Sequence, residues 1–284
     1  VFAEINPDTM NIDPGDILRK ITPRTRAVIP VHYAGVSCDM DQIMQIGTDH
    51  GLYVIEDAAQ AVNSRYGDEY LGTLGHMGCY SFHSTKNFTS GEGGALVLNL
   101  KDKSLQERAE VIIQKGTDKS RFMRGEIGRY SWIEAGSSYT PSNILMALLC
   151  SQLEDLELIT AQRKKVHEHY CGILEKYTYR GVVKVMKIPP GCQPNYHIFY
   201  ILLHGREQRD FILAELNKRG ISASAHFSPL HSSPMGARLG YRPEDLEVTE
   251  KNSGRLLRLP IYCGMAGAEM DYICSGLEDV LEGL

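Results

Sequence analysis

Between Ile17 and about Gly94, helix-like stretches alternate with short apolar runs at 26–31, 52–55, 78–82 and 95–98. Runs of that length separated by helical patterns predict an α/β sheet layer. A helix is predicted over 40–50, between two of these strands, with Asp39 or Asp41 available to cap its N-terminus. Open α/β sheets bind ligands beyond the ends of their strands, so functional residues are expected in the loops that follow the strands.

From about residue 141 the pattern changes. Ile144, Leu145, Leu148, Leu149, Leu153 and Leu156 fall at helical spacing, and charged positions carry the same stretch on to 177, predicting one long connecting helix over 141–177. Beyond Gly181 the order predicted is strand 182–186, strand 197–203, helix 206–219, strand 221–227, and helices at 249–257 and 268–281, a smaller α+β domain. A chain of 284 residues is long for one domain and natural for two. The expected division is a large ligand-binding domain over 1–140, the connecting helix, and a small domain over 178–284.

Composition narrows the class. With 43% hydrophobic and 23% charged residues, the chain can bury a sizeable core. Its net charge of -5 is mild and its basic residues are scattered, which argues against a nucleic-acid partner. No apolar run reaches the roughly 20 residues that cross a bilayer, and 1–4 has no signal-peptide pattern, so no membrane association and a cytoplasmic location are expected. Seven cysteines, odd in number and without a close pair, read as reduced core residues.

The strongest chemistry stands at two strand ends, Glu56-Asp57-Ala58-Ala59-Gln60 and Ser81-Phe82-His83-Ser84-Thr85-Lys86-Asn87. A pyridoxal 5'-phosphate (PLP) enzyme needs a carboxylate for the pyridine nitrogen, a lysine to hold the aldehyde as a Schiff base, and donors for the phosphate. Asp57, Lys86 and Ser81 supply one of each, and Gln60 could bond the ring hydroxyl. Singly, Lys86 reads as a surface charge, Asp57 as a helix cap and Ser81 as a sheet residue. Their order and spacing, with the glycine-rich 90–94 turning into the next strand, favour the site.

Other motifs carry less. His32 and His83, at strand ends, are candidate cofactor or substrate contacts, as are Tyr33 and, more weakly, His226 and His231. His167 and His169 lack the i, i+4 spacing of a zinc pair, and no metal site is expected. Gly72-x-x-Gly75-x-x-Gly78 is not a dinucleotide fingerprint, and Asn87-Phe88-Thr89 would be a glycosylation signal only in a secreted protein.

On these motifs, together with 30–35, Gly91-Glu92-Gly93-Gly94 and Pro229-Leu230-His231, the chain resembles the DegT-type sugar-nucleotide aminotransferases over essentially its whole length. The resemblance implies a fold-type-I PLP-dependent transferase with a mixed-sheet large domain. It makes Lys86 the Schiff-base lysine, Asp57 the pyridinium partner, Gln60 the ring-hydroxyl contact and Ser81 a phosphate ligand. Segments 11–13, 31–36 and 136–139 look most like the branch that makes dTDP-4-amino-4,6-dideoxygalactose, which implies L-glutamate as donor and a homodimer with shared sites.

Two departures bear on those implications. The family's phosphate loop and ring-covering aromatic precede the position of Val1, so the large domain is expected to be N-terminally truncated. Ser138-Tyr139-Thr140 stands where many members have Asn-Tyr-Arg reaching into the neighbouring subunit. Ser138 can still bond a phosphate, but Thr140 cannot hold a carboxylate as arginine would, which leaves the donor's carboxylate without an assigned partner. The alternatives to a transaminase are an inactive or regulatory truncated relative, and a PLP-dependent sugar dehydratase or lyase. Lys86 argues against the dehydratase, which resembles the family but carries histidine at the lysine position.

Overall fold

The computed structural model describes residues 1–283. In chain order the regular elements are α1 (Pro14–Lys20), β1 (Ala27–Val28), α2 (Met40–His50), β2 (Tyr53–Asp57), β3 (Arg65–Tyr66), β4 (Glu69–Tyr70), β5 (Met77–Ser81) and β6 (Gly94–Leu98). There follow α3 (Lys103–Ile113), α4 (Lys119–Met123), α5 (Asn143–Glu154), α6 (Leu156–Tyr179), β7 (Lys184–Val185), β8 (Cys192–Gln193) and β9 (Phe199–Leu202). The chain ends with α7 (Arg206–Lys218), α8 (Pro234–Arg238), α9 (Glu247–Arg255), β10 (Leu256–Leu259) and α10 (Gly267–Glu282).

The first sheet has the order β1-β2-β5-β6, parallel through β5 and antiparallel at β6, so it is mixed as expected. Helix α2 forms over the predicted residues for local reasons. The Asp39 carboxylate accepts from the Gln42 amide at 3.1 Å, and Gly51 ends the helix in the left-handed region at φ 63°. Its buried face, Met40, Ile43 and Ile46, packs with Val28, Leu52 and Val54. Strand β2 alternates so that Val54 and Glu56 enter the core while Asp57 turns the other way.

The second sheet, β10-β9-β7, is antiparallel and packs with α6, α7 and α10 around the largest core cluster, which includes Tyr170, Tyr177, Phe199, Ile201, Leu257 and Leu277. A third small sheet, β4-β3-β8, pairs Arg65 with Gln193 and Tyr66 with Cys192, so a late segment of the chain is pinned beside the loops of the first sheet.

Three elements differ from the sequence pattern. The 141–177 stretch is two helices, because the chain leaves helical geometry at Asp155 (φ -99°, ψ 18°), and apolar spacing on both sides hides that break. Segment 221–227 is not a strand. The β9 edge is taken by β10, and 221–227 meets β10 only at the Ser224–Arg258 bridge. Helix α9 ends at Arg255 and the residues after it form β10, a four-residue strand whose pairing with β9 is too remote in sequence for periodicity to reveal. Among the described residues, no helix is long and apolar enough to cross a membrane.

Candidate active site

Lys86, Gln60, Asn87, Ala59, Val62, Phe88, Asn195 and His197 line one pocket, with Lys86 in the loop after β5 and Gln60 in the loop after β2. Lys86 is half-buried. Burial lowers its ammonium below the usual lysine value; the Asp57 charge opposes that shift and Arg258 adds to it. Asp57 sits at the end of β2, with its carboxylate fixed by the Ala59 amide at 3.0 Å. The Gln60 side-chain oxygen accepts from the Ala34 amide at 2.7 Å, which sets the orientation of the side chain and leaves its nitrogen as a donor. Ser81 ends β5, its hydroxyl accepting from the His83 amide at 3.3 Å.

The two loops are tied by a polar network that sequence reading missed. His197 meets Asn87 Oδ1 through Nδ1 at 2.9 Å, Asn87 donates to the Asn195 carbonyl at 2.8 Å, and Asn195 donates to the carbonyls of Gln60 at 2.9 Å and Val62 at 2.8 Å. Since the Asn87 oxygen only accepts, the His197 ring carries its proton on Nδ1. Arg163 clamps the same segment, donating to the carbonyls of Tyr196 at 2.9 Å and His197 at 2.6 Å. Gly35 is needed beside this network: it adopts φ +78°, and a Cβ there would stand 2.1 Å from Asn195 Oδ1. The available signal was the polar pair Asn195 and His197 beside an otherwise apolar strand.

Burial, reinforced by the charges of Arg163 and Lys86, pushes His197 down to about 3, while burial and the Arg258 charge push His226 down to about 4. A folded value below the ordinary one means that the unfolded chain takes the proton first, so stability is lost as pH falls below about 6.5. Thermal unfolding followed from pH 7 to 4.5 should therefore show a falling midpoint, and His197→Gln should flatten that slope by up to ~1.4 kcal/mol per pH unit. An unchanged slope would show that His197 is not buried in the neutral state.

Two of the expected substrate contacts are corrected. His32 is fully buried; its Nδ1 accepts from the Cys38 amide at 3.1 Å and its Nε2 donates to Glu56 at 2.8 Å, so neither ring nitrogen is left for a ligand. His231 is also buried, with Nε2 facing the Pro243 carbonyl at 3.3 Å and the Glu250 carboxylate at 3.4 Å. Tyr33 is part of a different cluster, its hydroxyl bonded to His226 Nδ1 and its ring 5.8 Å from that of Tyr200. His83 is exposed and bonded to Thr85 at 3.0 Å. Ser138 is exposed and bridged to Gln114, in a different part of the chain from the Lys86 pocket.

Comparison with known proteins bears directly on this arrangement. The family model described as the DegT/DnrJ/EryC1/StrS aminotransferase family matches residues 1–278. The spore coat polysaccharide biosynthesis protein SpsC of Bacillus subtilis is 31% identical across 100% of this chain and 74% of its own length. GDP-perosamine synthase of Caulobacter vibrioides is 33% identical across 99% of this chain and 73% of its own. Among solved structures, S. venezuelae DesV, in complex with a ketimine intermediate, superposes with a TM-score of 0.87 at 28% identity, covering 99% of this chain and 72% of that one. The chain belongs to the DegT/DnrJ/EryC1/StrS aminotransferase family, and with it to the fold-type-I, PLP-dependent sugar aminotransferases.

Proposed function

We propose that this chain transfers an amino group from L-glutamate to a nucleotide-linked 4-keto-6-deoxyhexose, with dTDP-4-keto-6-deoxyglucose as the expected acceptor and dTDP-4-amino-4,6-dideoxygalactose as the product. The observation that carries this reading is the convergence of Lys86, Asp57 and Gln60 from two strand ends. The class of acceptor is supported by the name of a relative, GDP-perosamine synthase, 33% identical to this chain.

The residues fit PLP. Lys86 offers an amine held below its usual value by burial, Asp57 a fixed carboxylate within reach of its charge, Gln60 a free amide donor, and Ser81 a hydroxyl at a strand end. When bound, the cofactor supplies an electron sink for the carbanion formed at the substrate carbon. Asp57 would accept from the protonated pyridine nitrogen and keep it charged, and Gln60 Nε2 would donate to the ring hydroxyl. Ser81 would donate to the phosphate, with Ser138 of a second copy as a further donor. Lys86 would first hold the aldehyde and then, freed by the incoming amine, move a proton between the two reacting carbons as a base.

A homodimer with shared sites belongs to the same proposal. It is supported by an exposed apolar run in the segment that carries Ser138, where Trp132 is 77% and Tyr139 64% exposed and Ile144 is 82% exposed.

The test is to incubate the full chain with PLP, 15N-glutamate and dTDP-4-keto-6-deoxyglucose and to follow the label by mass spectrometry. Label in an amino sugar nucleotide is expected. Loss of water from the sugar without transfer of nitrogen would replace this reading with a dehydratase.

A further inference from the structure

Three arginines reach into the interior near the candidate site and the second sheet, and they are satisfied very differently. Arg163 donates to two backbone carbonyls. Arg209 donates to Asp210 and to the carbonyls of Ser253 and Leu256. Arg258, half-buried on β10, has a buried Nε with no hydrogen-bond partner, and among the described residues it forms no ion pair. A buried donor on a cation left without a partner is unfavourable unless a ligand satisfies it.

The surroundings say what that ligand is. Arg258 is registered opposite Tyr200 across β9 and β10, so their side chains share a face, and the Tyr200 ring packs on Tyr33. The charge of Arg258 is felt at Tyr33, His226 and Lys86. His226 is neutral at physiological pH because burial holds it down to about 4. The charges of Arg258 and Lys86 both bear on His226, and Asp57 is the acid that bears on Lys86. An anion would complete the unpaired Arg258 guanidinium.

We infer that the Arg258 guanidinium, beside the Tyr200–Tyr33–His226 cluster, receives a carboxylate of the amino donor whose amine reacts at Lys86. The choice of an amino acid as ligand rests on the transaminase reading above. A planar guanidinium matches a carboxylate with two parallel N–H donors, which lysine cannot reproduce.

The measurement is equilibrium binding of glutarate, a donor analogue that cannot react, to the full PLP-loaded chain by calorimetry, in the native protein and in Arg258→Gln and Arg258→Lys. Native binding is expected to weaken about ten- to hundredfold in the glutamine variant, the effect of losing one charge-assisted interaction, and less in the lysine variant. Affinity for dTDP, titrated in parallel, should stay within about twofold. Equal glutarate affinity in all three proteins overturns the assignment, as does a loss confined to dTDP, which would give Arg258 to a phosphate instead. PLP binding by the same preparations separates the two levels: cofactor held at Lys86 with glutarate indifferent to Arg258 removes this inference alone, whereas no cofactor at Lys86 removes the transaminase reading. The Arg258 backbone keeps its bonds to Ser224 in either variant, at 2.8 and 3.1 Å, and an unchanged urea midpoint verifies the fold.

Discussion

Lys86→Ala is expected to abolish transamination while leaving the urea-unfolding midpoint within experimental scatter of the native protein. The side chain is half-buried, and no ion pair or side-chain hydrogen bond of Lys86 supports the fold among the described residues, so its removal leaves no interior donor stranded. The proton-transfer role alone is worth roughly a hundred- to ten-thousandfold in rate, and loss of the covalent attachment adds to that. Borohydride reduction after PLP addition, followed by peptide mapping, should label the peptide containing Lys86 in the native chain and nothing in the variant. Turnover above a tenth of the native rate, or label on another lysine, would remove Lys86 from its assigned place.

The second large effect concerns folding. Glu56 is 0% exposed and accepts three bonds: from the His32 ring at 2.8 Å, the Gly72 amide at 2.7 Å and the Gly75 amide at 2.5 Å. Burial by itself raises the Glu56 carboxyl, but the His32 bond and the two amides outweigh it and hold the carboxyl below the usual glutamate value. Glu56→Ala should cost about 3 to 5 kcal/mol, because it strands three interior donors. That is a large part of the 5–15 kcal/mol that typically holds a domain folded. Glu56→Gln should fall between, since its amide oxygen can keep the bonds from His32 and Gly72 that one carboxylate oxygen accepts, while its NH2 confronts the Gly75 amide with a second donor. Because the folded carboxyl is the stronger acid, its contribution is fully present above the ordinary glutamate range and disappears as pH falls through the folded value. A urea midpoint in Glu56→Ala equivalent to less than about 1 kcal/mol of destabilisation would mean that the 70–75 turn rearranges to satisfy itself.

What could be read from the sequence was whatever local chemistry decides. Helix 40–50 was legible because Asp39, Gly51 and the apolar face all lie within it. Asp57, Gln60 and Lys86 were legible as a group because each ends or follows a strand, and the sheet order brings those strand ends together. His32 shows the limit of that logic. A histidine after a strand gives the same signal whether it faces a ligand or, as here, a buried carboxylate on the neighbouring strand. His197 and Arg258 were not legible, since His197 acquires its meaning only through Asn87 and Arg258 only through Tyr200 and Tyr33, residues far away in the sequence. The break at Asp155 went unseen because propensity and apolar spacing favour helix on both sides of it.

The late pairing of β10 with β9 sets an order on biosynthesis. As the chain leaves the ribosome, the strand with Phe199 and Tyr200 has β7 on one side and an open edge on the other until Leu256 to Leu259 arrive. At ordinary elongation rates that interval lasts about 3 to 12 s. Throughout it, a fully apolar strand edge is available to a chaperone or to another nascent chain. Lys86, Asp57 and Gln60 emerge long before, but the strand that carries Arg258 is among the last parts to be made. On the assignments proposed above, a nascent chain would display the cofactor residues well before it could hold a donor, and full competence would wait on the closing strand.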